Sequence, residues 1–473
     1  MSLVTLYVTF TGLVLDFGFG AALIQRDEVE ETDMGTVATL NLLTALAVSL
    51  VTIVTAGPVA RFFHLPALAS PLRVLVVAVC FQAFSVVPVA RLTRAFDFRS
   101  LARVEASTAV LSAVVAIAAA FAGAGYWSIV IGVLVLDGSN AVWLTSAAGW
   151  TRLAWSASSA RSLFAFGRNV MGSQFIRHFA VNVDNVLVGR YLGPIALSNY
   201  ALAYRVLILP SQTLGQVLRR VLFPALSRLQ SRPERLGHFY AQASSSVALI
   251  ILPLLALVAM AAPVAIPLMF GPEWSPAILP TQIFALGAIA QSLGFQHLVF
   301  LACGKTKLVF NFTLATTALS VGGFVIGLRW GIGGVAAAYA ITRSALWPVA
   351  AWYVRNLVGL SIFAYFRSLA PAAASSVALA AAWGLTRFVL ESAGFPVVPA
   401  AAVATGAGVA AYVGVLGIVS PQQLQRLRRL SALAFRTHRS QPNVHLGTTK
   451  QPSTASTERP DRLLTDSSAE VQA

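Results

Sequence analysis

Charge is what this sequence has least of. Only 11% of its 473 residues are Asp, Glu, Lys or Arg, where a soluble domain carries about 25%, and the shortage excludes a water-exposed surface over most of the chain. Cysteine is nearly absent as well. Cys80 and Cys303 stand far apart in apolar stretches with no histidine set beside them, which excludes a disulfide framework or a cysteine metal site and leaves two small inert hydrophobes. Catalytic signatures are missing. There is no HExxH and no GxSxG, and GKT at 304–306 lacks the glycine five residues earlier that a phosphate-binding loop needs; no catalytic residue, cofactor or metal is expected, nor an ATP-driven pump acting alone. Long polar loops are missing too: the longest internal ones, 149–163 and 220–240, run to about 15–20 residues, too short for a soluble catalytic domain. No basic run precedes the first apolar stretch, so a cleaved signal peptide is not expected.

Apolar length takes the place of all this. Hydrophobic residues make up 57% of the chain, mean hydropathy is +0.76, and stretches of the roughly 20 apolar residues that cross a bilayer as a helix recur almost to residue 420. Thirteen are read: 3–23, 34–57, 70–92, 104–124, 126–148, 164–189, 195–219, 241–261, 277–302, 307–328, 333–355, 367–389 and 397–419. The expected fold class is therefore all-α, a polytopic membrane protein. A formal charge of +16 invites a nucleic-acid reading, but its placement argues otherwise. With the first segment running outside to inside, the loops after the odd-numbered segments up to the eleventh hold seventeen basic residues, among them Arg26, Arg91, Arg94, Arg99 and Arg103, against five near the other face, Arg61, Arg73, Arg190, Arg329 and Arg387. This is the positive-inside bias. The charge reports topology, no nucleic-acid partner is expected, and the C-terminus is expected in the cytoplasm.

Past Pro421, QQLQRLRRLSALAF puts Leu424, Leu427, Leu430 and Ala434 on one helical stripe with Arg426, Arg428 and Arg429 around it, a pattern suited to lying on an anionic leaflet. Beyond Ser440 the Ser, Thr, Pro and Gln content reads as disorder. The first segment with its exit, VTFTGLVLDFGFGAALIQR, and the seventh with its exit, ALAYRVLILPSQTLGQVLRR, share a direction, a midway break at Gly or Pro and a basic end, which suggests parallel repeats. The expected organisation is an N-terminal lobe over 1–150, a cytoplasmic linker over 151–163, a C-terminal lobe over 164–356, two additional helices over 357–419, and a basic amphipathic segment with a tail over 420–473.

The charges left inside the segments carry the functional question, since each costs about 2.5–3.5 kcal/mol on insertion scales. Arg177 lies about twelve residues from the outer end of its segment and Arg205 and Arg343 about ten from theirs, so at 1.5 Å per residue the three fall within roughly 3 Å of one plane near mid-membrane. Asn169, Ser173, Arg177, Val181 and Asp184 share a helical face that is largely polar. The seventh segment adds Tyr200, Tyr204 and Arg205, with Pro210 and Gly215 expected to loosen it further on. The acids are Asp16, Asp137 and Asp184. Two readings stand: the arginines and aspartates pair and hold the bundle together, or the arginines line a wet cavity, where a guanidinium stays ionised and offers a planar fork to phosphate oxygens. Asp16 and Asp137 are candidates to bind a coupling ion, or equally to cap local kinks. His178 and His297 read as packing residues.

DFGFGAALIQR (16–26), RLTRAFDFRSLAR (91–103), NVDNVLVGRYLGPIALSNYALAYRV (182–206) and FPALSRLQSRPERL (223–236) resemble the polysaccharide transporter branch, the Wzx-like flippases, of the multidrug/oligosaccharidyl-lipid/polysaccharide exporter superfamily. The likeness runs from residue 1 to about 419. It implies two six-helix lobes around a central cavity, two further helices, and movement of an undecaprenyl-diphosphate-linked oligosaccharide from the inner to the outer leaflet of a bacterial inner membrane. It also implies one helix more at the start than this chain has. The cationic cavity so implied matches Arg177, Arg205 and Arg343 by depth, with Asn169, Ser173, Tyr204 and Asp184 as its polar lining. Implied partners are the lipid-linked oligosaccharide, membrane lipids and other polysaccharide assembly proteins.

Rival readings are a multidrug or cation exporter of the same superfamily, which would favour carboxylates in the cavity; an inner-membrane glycan polymerase or ligase, which would need a sizeable outer loop; and a scaffold of the assembly machinery, suggested by the basic tail. Deletion of residues 440–473 separates the last from the rest: transport should survive it, and loss of transport at normal abundance would favour the scaffold.

Overall fold

A chain in hydrocarbon must satisfy every backbone N–H and C=O within its own segment, which only a helix or a closed barrel can do. The computed structural model takes the helical solution. It describes residues 2–16, 19–26, 28–293, 296–359 and 361–425, and within these the side chains of 2–6, 13, 16, 21, 25, 165–177, 180–181, 207–221, 224, 290–293, 306 and 362 lie outside that description. The α-helices are α1 (Ser2–Asp16), α2 (Phe19–Gln25), α3 (Glu31–Phe62), α4 (Ala69–Arg94), α5 (Phe98–Phe121), α6 (Trp127–Ala148), α7 (Ala157–Tyr191), α8 (Gly193–Arg228), α9 (Pro233–Phe270), α10 (Ile278–Leu293), α11 (Gln296–Ala302), α12 (Thr306–Gly327), α13 (Gly331–Ala345), α14 (Trp347–Val358), α15 (Ile362–Ser392) and α16 (Val397–Val419). No strand occurs among the described residues.

Eight helical stretches among the described residues are long and apolar enough to cross a membrane, from Glu31–Phe62 to Val397–Val419, with Lys307–Val358 counted as one. The sequence reading has thirteen crossings. Lys307–Val358 takes in two of the thirteen, α7 and α8 carry arginines along their length, and the first and ninth segments include residues 17–18 and 294–295, which lie outside the described residues. The expected loosening at Pro210 is not seen. α8 keeps its helical span from Gly193 to Arg228, through both Pro210 and Gly215. The midway break shared with the first segment is therefore absent from the seventh.

Helix starts follow local chemistry. Asp97 Oδ1 accepts the Ser100 N–H at 3.0 Å and opens α5; the Ser100 hydroxyl and N–H hold that carboxyl below the usual carboxylate range. Ser156 Oγ accepts the Ser159 N–H at 3.4 Å and opens α7. Gly359, at φ 67°, ends α14 in the left-handed conformation that favours glycine.

Residues up to Leu424 form one compact unit. Within it, α4 packs against α1, α3 and α6, and α6 against α5; α10 packs against α8, α9 and α13, and α13 against α12; α15 and α16 pack on each other and on α9. α7 touches both groups, meeting α1, α2 and α3 on one side and α8, α12 and α13 on the other. At one end of α7 the join is apolar. A Cβ on Gly189 would stand 3.1 Å from Leu197 Cδ2 and 3.3 Å from Phe63 Cε1, and the Arg190 guanidinium lies 5.0 Å from the Phe62 ring centroid and 3.2 Å from His64 Nδ1. At the opposite end Arg26 Nη2 donates to Ser162 Oγ of α7. The ties beside it lie within the first group: Arg26 pairs with Asp33 at 3.3 Å, Arg91 with Glu31 at 2.9 Å, and Arg91 also donates to the Ala148 carbonyl at 2.9 Å.

The expected linker is partly helix and partly laid along α3. Its residues from Ala157 belong to α7; before that, Thr39 Oγ1 donates to the Ala154 carbonyl at 2.8 Å and the Ser156 N–H donates to Thr36 Oγ1 at 3.1 Å. Gly35 permits this approach, since a Cβ there would lie 2.6 Å from the Arg152 carbonyl oxygen. Gly35→Val should therefore cost about 1–3 kcal/mol by overpacking and raise protease sensitivity at 150–156, both measurable on the purified protein by thermal melting and limited digestion.

Candidate functional site

Asp184, Asp137 and Arg343, all inside helical segments, are each met by a neutral group. On α7, Asp184 is 3% exposed; its Oδ2 accepts the Tyr200 hydroxyl of α8 at 2.8 Å and its Oδ1 the Asn185 N–H at 2.8 Å. On α6, Asp137 Oδ2 accepts Gln82 Nε2 of α4 at 2.8 Å. On α13, the Arg343 guanidinium lies 5.3 Å from the centroid of the Tyr339 ring one turn before it, a cation–π contact, and its Nε is buried without a hydrogen-bond partner. The ion pairs among the described residues are Arg26–Asp33, Arg91–Glu31 and Arg387–Glu391; Arg205, Arg343, Asp137 and Asp184 are in none of them. The pairing reading therefore fails for these four.

Four rings connect these groups. Phe284 of α10, fully buried, stands edge to face with Tyr200 at 5.3 Å, with Tyr204 at 5.6 Å and with Tyr339 at 5.4 Å, and Tyr204 meets Tyr339 at 6.0 Å. Such pairs each add about 0.5–1.5 kcal/mol beyond their buried area. Close helix approach places α13: a Cβ on Gly287 of α10 would lie 2.7 Å from Ala340 Cβ, and one on Gly327 of α12 2.5 Å from the Gly334 carbonyl oxygen. Small residues are how helices come this near in lipid.

The expected site residues thus separate. Tyr204 and Arg343 belong to one cluster with Asp184, which is enclosed by its neighbours instead of standing on a polar wall. Arg205 is exposed and takes no part in the cluster's ring contacts. Asp137 sits with Gln82 in the other group of helices, where Gln82 Oε1 and both amide atoms of Asn41 are buried without a partner. Asn169, Ser173 and Arg177 lie on α7, and their side chains and the Asp16 carboxylate lie outside the described residues. Sequence reading missed Phe284 and Tyr339. The second had a signal, its spacing of four from Arg343 on one helix; the first, an apolar residue in an apolar helix, had none. No group of three or more His, Cys, Asp or Glu among the described residues is placed to hold a metal ion. Tyr200→Phe removes the donor to a buried carboxylate and should cost about 1–3 kcal/mol in thermal stability, with a smaller loss in an Asp184→Asn background.

Comparison with known proteins follows the same lines. The teichuronic acid biosynthesis protein TuaB of Bacillus subtilis is 24% identical over 447 residues, spanning 90% of this chain and 89% of that one. The lipopolysaccharide biosynthesis protein WzxC of Escherichia coli is 24% identical over 66% of this chain and 64% of its own, and the succinoglycan biosynthesis transport protein ExoT of Rhizobium meliloti 27% identical over 57% and 55%. Among solved structures, the lipid II flippase MurJ in an inward closed conformation shares the fold with a TM-score of 0.68 at 15% identity, over 88% of this chain and 90% of that one. Residues 1–279 match the family described as "Polysaccharide biosynthesis protein", and with more than half of its length so matched the chain belongs to that family.

Proposed function

We propose that this protein is a flippase that carries a polyprenyl-diphosphate-linked oligosaccharide from the inner to the outer leaflet of a bacterial inner membrane, for surface polysaccharide synthesis. The observation that carries the reading is Arg343, a guanidinium near mid-membrane that stands on a tyrosine ring, keeps a buried donor unused and pairs with no carboxylate. A cation so placed suits an anionic cargo. The diphosphate would meet Arg343, with Arg177 and Arg205 at similar depth, the glycan would occupy a hydrated lumen, and the polyprenyl chain would stay in lipid.

The helix groups suggest the moving parts. The lobes are taken as 1–150 and 164–356, joined by 151–163, with 357–419 as an appended helix pair and the C-terminus in the cytoplasm. The Phe62–His64 end of α3 then lies outside, and its apolar join to Gly189 and Leu197 is the closure that must part for outward release. Membership of a family whose relatives include proteins named for transport supports a carrier and not a catalyst. Asp137, held by Gln82, and Asp16 are proposed for ion coupling, and other assembly proteins as partners.

Single Arg177→Gln, Arg205→Gln and Arg343→Gln substitutions should each abolish restoration of surface polysaccharide in a flippase-deficient host, with membrane abundance unchanged by immunoblot. Normal polysaccharide from all three would sink the cationic site.

A further inference from the structure

Arg343 and Asp184 are side chains of opposite charge type on α13 and α7, linked by a run of contacts. Attraction between such groups grows as the surroundings become less polar, and Arg343 Nε is buried with no acceptor. Neither residue is in an ion pair among the described residues, and the contacts that link the two run through aromatic rings. Tyr200 holds Asp184, Phe284 stands against Tyr200 and Tyr339 at 5.3 and 5.4 Å, and Arg343 rests on Tyr339. Of these rings Phe284 alone has no polar atom, and it touches all three tyrosines while fully buried.

We propose that Phe284 is a positioning residue that acts as a spacer: by bracing Tyr339 and Tyr204 against Tyr200 it keeps Arg343 from collapsing onto Asp184, and so leaves the guanidinium available to a diphosphate. An ion pair formed inside the protein would neutralise the charge that the cargo needs. The rings bar the way because edge-to-face packing fixes flat side chains with few rotamers in one arrangement. Removing the Phe284 ring opens volume through which the arginine reaches the acid. The inference rests on the reading of Arg343 as a phosphate-binding group and explains why that group is free.

The test is a double-mutant cycle on the purified full-length protein in detergent, with farnesyl diphosphate as the probe and binding read by titration. Phe284→Ala should weaken binding on the order of tenfold in the native background, but no more than about threefold when Asp184→Asn is already present, because the competing carboxylate is gone. An equal penalty in both backgrounds would overturn the spacer role and leave Phe284 as ordinary packing. Phe284→Leu, which keeps much of the apolar volume without the flat ring, goes through the same cycle if the alanine variant fails to accumulate. Arg343→Gln distinguishes the two levels: unchanged binding there means the phosphate-site reading has failed, and the spacer with it, whereas weakened binding beside a flat cycle means only the spacer has failed.

Discussion

A charge held in hydrocarbon must be answered by something, and the organisation of this protein follows from what answers each one. At the membrane edges the answer is an opposite charge: Arg26 with Asp33, Arg91 with Glu31 and Arg387 with Glu391. Toward the middle it is a neutral dipole or a ring, as Asp184 takes the Tyr200 hydroxyl, Asp137 takes the Gln82 amide and Arg343 takes the Tyr339 face. Full neutralisation at the edges stabilises the helix ends and locks them together. Partial compensation in the middle leaves charges that still have something to gain from a ligand.

The packing exists to hold that incomplete compensation in place. α13 carries both Tyr339 and Arg343, and its position depends on backbone approach at Gly287, Gly327 and Gly334, where no side chain larger than hydrogen fits. α10 brings Phe284 and α8 brings Tyr200 and Tyr204, so three helices meet at a knot of rings, with Tyr200 donating to Asp184 and Arg343 lying on the face of Tyr339. In water the apolar effect would drive such a cluster together. In lipid, contact and geometry must do it, which is why small residues and interlocked rings appear where the helices converge.

α7 is the element that touches both helix groups. It meets α1, α2 and α3 as well as α8, α12 and α13, and its ends differ in kind. One end is joined to α3 by Phe62, Phe63 and Gly189 with Arg190 over an aromatic ring; the other lies near a set of arginine ties.

Much of this was legible in the sequence. Apolar runs mark the helices because length and hydropathy are properties of consecutive residues. The family resemblance rests on short runs such as NVDNVLVGRYLGP. The mid-depth charges could be named too, since helical rise converts position into depth. What chain order could not decide was who answers whom. Equal numbers of arginines and aspartates allowed mutual pairing, and only the folded structure shows Asp184 on Tyr200 and Arg343 on Tyr339. Phe284 lies a hundred positions from Asp184 and looks like any other apolar residue of its helix. Its importance arises where α8, α10 and α13 cross, and crossings are set by side-chain packing between distant segments, which no local pattern encodes.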